Sequence, residues 1–427
     1  METVETVEEK DVYKKSRILY IIEAALEYFI SIAVGGAYLA TLTAYLGLSD
    51  SLTGILTSFV SLGCGFQIVA IFLANKKPVK RWVTIIHTLN QLFFALVYVL
   101  PIFNFNPQVK IVLFIVFLLL GHVLNNIVNA PKINWYMSLV DNKKRGSFTA
   151  NKEIISLLGG MLFTFGLGAV VDHYKAIGDL RTSFILCGIG IGVLTIGHTL
   201  VLIFSKEKTE ENVEHLNVKE VLVDLVKDKS LLKVVLISVL WNIASHATTP
   251  FYGSYQTKEL GFTMTFISIL SIVTAVVRSL FSRPMGRYAD KHSFSKMLNI
   301  CFVLVTIAFG INIFTTPKNG SILYVFYVVL HAISMAGINS SVINLIYDYV
   351  EPKKRTAALA LKSAFAGFAG FFTTLAVSPL VAYIQKAGNK FLGLSVYAQQ
   401  VTSALAFALM LVLLVYMNTV IRKIKKK

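Results

Sequence analysis

The sequence predicts an all-α membrane protein: twelve transmembrane helices in two parallel six-helix repeats, with both termini cytoplasmic. Three observations carry this. Of 427 residues, 55% are hydrophobic and only 15% charged, whereas a soluble globular chain is about a quarter charged. The apolar residues fall into runs long enough to cross a bilayer, with short polar connections between them. The basic hexamer VDNKKR at 140–145 also returns as VEPKKR at 350–355, each time at the end of a long apolar run.

A bilayer core of about 30 Å needs about 20 apolar helical residues. Segments that meet this are 18–42, 51–74, 82–102, 109–139, 148–171 and 182–204 in the first half. In the second they are 231–255, 263–285, 295–315, 320–348, 356–384 and 396–420. Between the halves, the stretch VKEVLVDLVKDKSLL reads as an amphipathic helix. Val218, Val221, Leu222, Leu225 and Val226 share one face, opposite Lys219, Glu220, Lys227 and Asp228, so it is expected to lie along the membrane surface. The organisation expected is a six-helix bundle over 1–204, a cytoplasmic linker over 205–230 and a second bundle over 231–427 ending in a basic tail. The opening METVETVEEKD is acidic and polar, and the first apolar run is too long for a cleavable signal.

Orientation follows from the positive-inside bias. Of the 40 Lys plus Arg, 31 fall on the side holding both termini. Seven fall on the other side: Lys110, Lys175, Arg181, Lys258, Lys318, Lys386 and Lys390. Lys132 and Arg278 are left within the membrane. The net charge of +17 is therefore spread between apolar runs rather than gathered on one soluble face, which excludes a nucleic-acid surface. Cys64, Cys187 and Cys301 lie far apart inside apolar runs, without metal-ligand or disulfide spacing.

The hexamers belong to a wider repeat. A shift of 210 places Asn129 on Asn339, Asn134 on Asn344, Lys152 on Lys362 and Gly160 on Gly370. A shift of 214 places Tyr38 on Tyr252 and LGLS at 46–49 on LGFT at 260–263. Six spans separate the copies, so both have the same orientation, unlike inverted repeats.

With these features the chain resembles the major facilitator superfamily over nearly its whole length. The most specific piece is Gly286-Arg287-Tyr288-Ala289-Asp290-Lys291, between spans eight and nine, which is similar to that family's signature loop. The resemblance implies two bundles rocking about a central site lined by spans one, four, seven and ten. It also implies that Gly286, Arg287, Asp290 and Lys291 form an inner gate, with Asp290 against the start of span five near Gly146 and Ser147. The equivalent first-half stretch, Leu73-Ala74-Asn75-Lys76-Lys77-Pro78, lacks the glycine and the acid, so gating is expected to be lopsided.

Helical periodicity picks out polar stripes that lipid would not tolerate. Span one carries Tyr20, Glu23, Glu27, Ser31, Tyr38, Thr41 and Tyr45. Span four carries His122, Asn125, Asn129, Lys132 and Tyr136, and span seven Ser238, Trp241, Ser245, Thr248, Tyr252 and Tyr255. On span ten, Asn339 and Asn344 hold the repeat positions, while His331, Ser334, Ser341 and Asp348 make another face. Glu27 lies ten residues past Arg17, about 15 Å deep at about 1.5 Å per residue. Lys132, eight residues before Val140, lies about 12 Å from the same surface. A lone charge there costs about 2.5–3.5 kcal/mol, so a Glu27–Lys132 pair is expected, either breakable by solute or proton or permanently structural.

Glu23 is read as an entrance or supporting charge, and Arg278 as a structural contact or a binder of solute anions. Of the membrane histidines only His122 stands on a polar stripe. Lys152 and Lys362 are expected to snorkel to lipid phosphate. Trp241, Tyr252, Tyr38 and Tyr136 among amides and hydroxyls suit a solute that stacks on rings and hydrogen-bonds, though aromatic residues on helices also serve packing. No nucleophile elbow, zinc motif or phosphate loop is present, so no enzyme and no cofactor is expected. The function expected is secondary active transport of a small organic solute, with protons as a candidate coupling ion, by a monomer in the plasma or inner membrane. The alternatives are an uncoupled facilitator, or a receptor or adaptor on the same scaffold.

Overall fold

The computed structural model describes residues 12–73, 78–141, 145–208, 218–351 and 354–423. Positions 145–147, 150, 218, 339 and 340 are described for backbone alone. Asn142, Lys143 and Lys144 of the first basic hexamer, Pro352 and Lys353 of the second, and Asn75, Lys76 and Lys77 lie outside the described residues.

Among the described residues, eleven helices are long and apolar enough to cross a bilayer, and a bent pair supplies a twelfth. Span one is that pair, Lys14–Ala33 and Gly36–Tyr45, bent by 44°. The first half continues through Asp50–Leu73, Val79–Ile102, Pro107–Ser138, Arg145–Ala176 and Leu180–Phe204 as spans two to six. The second half comprises Lys229–Glu259, Met264–Lys291, Phe294–Ile313, Gly320–Tyr347, Arg355–Lys386 and Ala398–Lys423, spans seven to twelve. An even number of crossings puts the first and last described residues on one side, the terminal side.

The duplication is visible in backbone geometry. At the start of span two, Gly47 sits at φ +74°, and Ser49 Oγ accepts from Leu52 N at 3.2 Å. At the start of span eight, Gly261 sits at φ +66°, and Thr263 Oγ1 accepts from Phe266 N at 3.1 Å. Left-handed backbone favours glycine, and a hydroxyl cap satisfies an orphan N–H. The LGLS and LGFT motifs thus write one turn-and-cap device twice. Span six starts on Asp179, which accepts from Thr182 N and Thr182 Oγ1. These bonds, with Arg181 nearby, hold its carboxyl below the usual range. This cap is fully present above the unfolded carboxylate pKa and is lost as pH falls through the lower folded value.

The linker helix, Val218–Lys227, does not lie free on a surface. Leu225 is buried, and with Val221 it packs into the second-half core. Lys354 Nζ meets Asp224 at 3.1 Å. Span seven is not continuous: Pro250 sits in a 3₁₀ turn at Thr249–Phe251, and Tyr255–Glu259 closes a π turn. Gly286–Lys291, read from sequence as a connecting loop, instead forms the end of the span-eight helix. Asp290 is exposed and makes no hydrogen bond or ion pair among the described residues.

The two halves meet chiefly on the far side. Tyr38 OH donates to Thr164 O at 2.7 Å and meets Ser268 Oγ at 3.1 Å. Lys258 pairs with Asp50, which also accepts from Gln385 Nε2 at 2.8 Å. Asp172 accepts from Met264 N at 2.8 Å, Thr265 N at 2.7 Å and Thr265 Oγ1 at 2.6 Å. A carboxylate on the start of a helix gains from its orphan N–H groups and its dipole. The resemblance implies this arrangement for Asp290 on the terminal side, and Asp172 makes it between spans five and eight on the far side. Asp172→Ala should lower the population closed there by about 1–2 kcal/mol, measured as faster thiol labelling of a cysteine placed at Ser51.

Candidate solute and coupling site

Span one presents Glu23 and Glu27 one turn apart, on a face that packs towards spans three, four and six. Glu23 is fully buried. Its Oε1 accepts from Lys132 Nζ at 2.9 Å, and lies 3.1 Å from both His87 Nε2 and His198 Nε2. Lys132 Nζ also bonds Glu27 Oε2 and lies 3.0 Å from His87 Nε2. His87 Nδ1 donates to Asn90 Oδ1 at 2.7 Å. The expected Glu27–Lys132 contact is therefore made, inside a larger cluster whose hub is Glu23 rather than Glu27.

Why this cluster stays dry follows from its neighbours. Tyr20, one turn before Glu23, stacks on Tyr136, one turn after Lys132, with ring centroids 4.2 Å apart and planes 13° apart. Phe148 stacks on Tyr20 in turn. These rings plug the terminal side of the cluster, while Glu27, one-fifth exposed, reaches the wall of a cavity. Glu23, His87 and His198 could geometrically hold a metal ion, their ligand atoms lying within 4.8 Å of one another. Lys132 Nζ already stands among them as the cation, so the donor set does not suit a second one.

The cavity, about 580 Å³, lies between spans one, four, five and eight. Glu27, Asn129, Lys152, Glu153 and Arg278 are on its wall, with Arg278 its contribution from the second half. Spans seven and ten do not line it, contrary to the expectation. With the far side closed, the gap is the one between the terminal-side parts of spans five and eight. Spans two and eleven remain in contact through their middles, where Gly65 meets Phe368.

The structure relocates most of the other expected site residues. Tyr38 belongs to the far-side seal. His122 is buried against Phe94, ring centroids 4.9 Å apart, and does not line the cavity. Trp241 packs near Phe302, and Tyr252 among Tyr324 and Tyr327, all within the second half. Asn344 is half-buried in span ten with no side-chain hydrogen bond among the described residues, and the Asn339 side chain lies outside them. Lys152, instead of snorkelling outward, places Nζ 5.3 Å from the Tyr20 ring centroid. His87 and His198 stand on no polar stripe, which reads from sequence as packing, and they sit on spans three and six, away from the wall of this cavity. The available signal was that an ionisable residue inside a membrane helix wants a partner.

The major facilitator superfamily model matches residues 21–283 and 234–426. The chain belongs to the major facilitator superfamily. It is therefore a multi-pass membrane transporter, not an enzyme. No curated protein matches it by sequence. Among solved structures, the nucleoside transporter NupG is similar at 15% identity and TM-score 0.69, covering 96% of this chain and 99% of that one. A D-xylose-proton symporter is similar at 14% identity and TM-score 0.66, covering 93% and 96%. An inward-facing bacterial homologue of the iron transporter ferroportin is similar at 12% identity and TM-score 0.68, covering 94% and 98%. At these identities the likeness is one of fold.

Proposed function

We propose that this superfamily member is a proton-coupled transporter of a small organic solute, working by alternating access with the terminal side cytoplasmic. The observation that carries it is the charge count of the buried cluster. Two carboxylates face one ammonium, and two imidazoles stand within hydrogen-bond reach.

With His87 Nδ1–H directed at Asn90, a neutral His87 offers only a lone pair at Nε2. That lone pair accepts from Lys132 and faces Glu23 Oε1 at 3.1 Å. Two acceptors in contact repel, and a proton added at Nε2 gives up the bond from Lys132 in exchange for a charged hydrogen bond donated to Glu23 Oε1. The same proton takes the cluster from net −1 to neutral, which a dry site favours. Glu27 Oε1 lies 3.8 Å from His87 Nε2, so Glu27 connects this proton site to the cavity wall. Solute in the cavity would act on Glu27, and Glu27 on the proton.

The D-xylose-proton symporter among the structural neighbours supports a proton as the coupling ion for this scaffold. The test is uptake into proteoliposomes, with and without an imposed proton gradient. Glu27→Gln should retain solute exchange and lose gradient-driven accumulation, by about 100-fold if its role resembles other acid–base groups. Full, gradient-dependent accumulation by Glu27→Gln would remove Glu27 from the coupling path.

A further inference from the structure

We infer that the solute is a hydroxylated organic anion, a carboxylate or a phosphate ester, held between Arg278 and Lys152. This rests on the cavity being the solute site. Arg278 lies fourteen residues past Met264, roughly 21 Å along span eight at about 1.5 Å per residue. It is half-buried on the cavity wall and makes no side-chain hydrogen bond or ion pair among the described residues. A guanidinium left without an anion inside a membrane protein is costly to keep and marks a binding function.

The charges around the cavity agree. Glu27 is already bound by Lys132. Among the described residues, Lys152 has only the Tyr20 ring. Glu153, exposed beside it, is the remaining carboxylate on the wall, and adjacent helical residues do not face each other. Two cations thus stand against one free acid. Neutral groups complete the site: Ser156 and Asn125 are on the wall, and Ser156 Oγ and Asn125 Oδ1 are buried without a partner among the described residues. An amide oxygen accepts, and a hydroxyl on the solute supplies a donor for it. A cavity of this size holds a molecule on the scale of a sugar acid.

The geometry also ties binding to closure. Arg278 belongs to the second half and Lys152 to the first, so one anion bridging them draws spans five and eight together on the terminal side. A neutral solute has no such hold on Arg278.

The test is thermal stabilisation of the purified full-length protein by matched pairs at millimolar concentration: gluconate with glucose, glycerol 3-phosphate with glycerol, and lactate with propanediol. A separate arm adds phosphatidylglycerol micelles. An anion should raise Tm where its neutral counterpart does not. Arg278→Gln should weaken that anion by about tenfold or more, the loss of a charged bidentate contact, and Arg278→Lys should retain part of it. If Arg278→Gln does not fold, Lys152→Gln with Arg278→Lys carries the same comparison. Stabilisation by neutral members alone, by no soluble anion, by the lipid alone, or by an anion indifferent to Arg278→Gln overturns the inference. Gradient-driven uptake of glucose that survives Arg278→Gln overturns it while leaving the transporter reading intact. Anion binding with no uptake of any solute overturns that reading alone.

Discussion

Lys132→Met should lower the unfolding free energy by about 3–5 kcal/mol, the cost of leaving a buried charge uncompensated. The substitution leaves Glu23 fully buried with no ammonium beside it, and returns Glu27 to the cavity wall without its partner. Met keeps most of the side-chain volume, so the loss reads out charge rather than a void. Thermal unfolding of the purified protein measures it. Adding Glu23→Leu should restore most of the stability, since an apolar pair of similar volume can replace a buried ion pair at little cost. Transport should stay lost in both variants, because the proton site loses the groups that define it. An unchanged Tm for Lys132→Met would mean that water reaches the cluster and that the Tyr20–Tyr136 stack does not seal it.

Gly253→Ala should move the protein towards a state open on the far side. A Cβ at Gly253 would lie 2.5 Å from Gly36 O and 2.7 Å from its carbonyl carbon, both backbone atoms of the opposite half. Backbone cannot give way as a side-chain tip can, so the halves must separate. Overpacking costs about 1–3 kcal/mol, which at about 1.4 kcal/mol per tenfold shifts the two-state population by up to roughly a hundredfold. Spin labels at Ile177→Cys and Leu392→Cys, exposed on far-side connections of the two halves, report the change as a longer inter-label distance. The same labels should move less in Asp172→Ala, where a hydrogen-bonded latch is lost but nothing collides. An unaltered distance distribution in Gly253→Ala would mean that this contact does not hold the seal.

These expectations separate what pattern reveals from what packing decides. The spans, the repeat and the Glu27–Lys132 contact were legible because each depends on local quantities: run length, helical period and depth. Glu23 was also on the marked stripe, yet was read as an entrance charge because depth alone made it shallower. What buries it is a pair of stacked tyrosines contributed by two different spans. Asp290 is exposed with no partner among the described residues, as the terminal side is open between spans five and eight, and the dipole-capping acid engaged in this state is Asp172 on the other face. Tyr38 and Tyr252 stood on polar stripes that were taken for cavity wall. One seals the halves together, and the other packs inside its own half.

The sequence by itself determined how many times the chain crosses, that its halves are copies, and which charges need a partner. Those follow from the cost of exposing polar groups to lipid, which acts residue by residue along one helix. Only the tertiary structure decided that His87 and His198 are partners of Glu23, and that Arg278 faces the cavity with no carboxylate paired to it among the described residues. Helix rotation and the choice of neighbouring span are set by contacts between segments far apart in the chain, and a single helix carries no record of them.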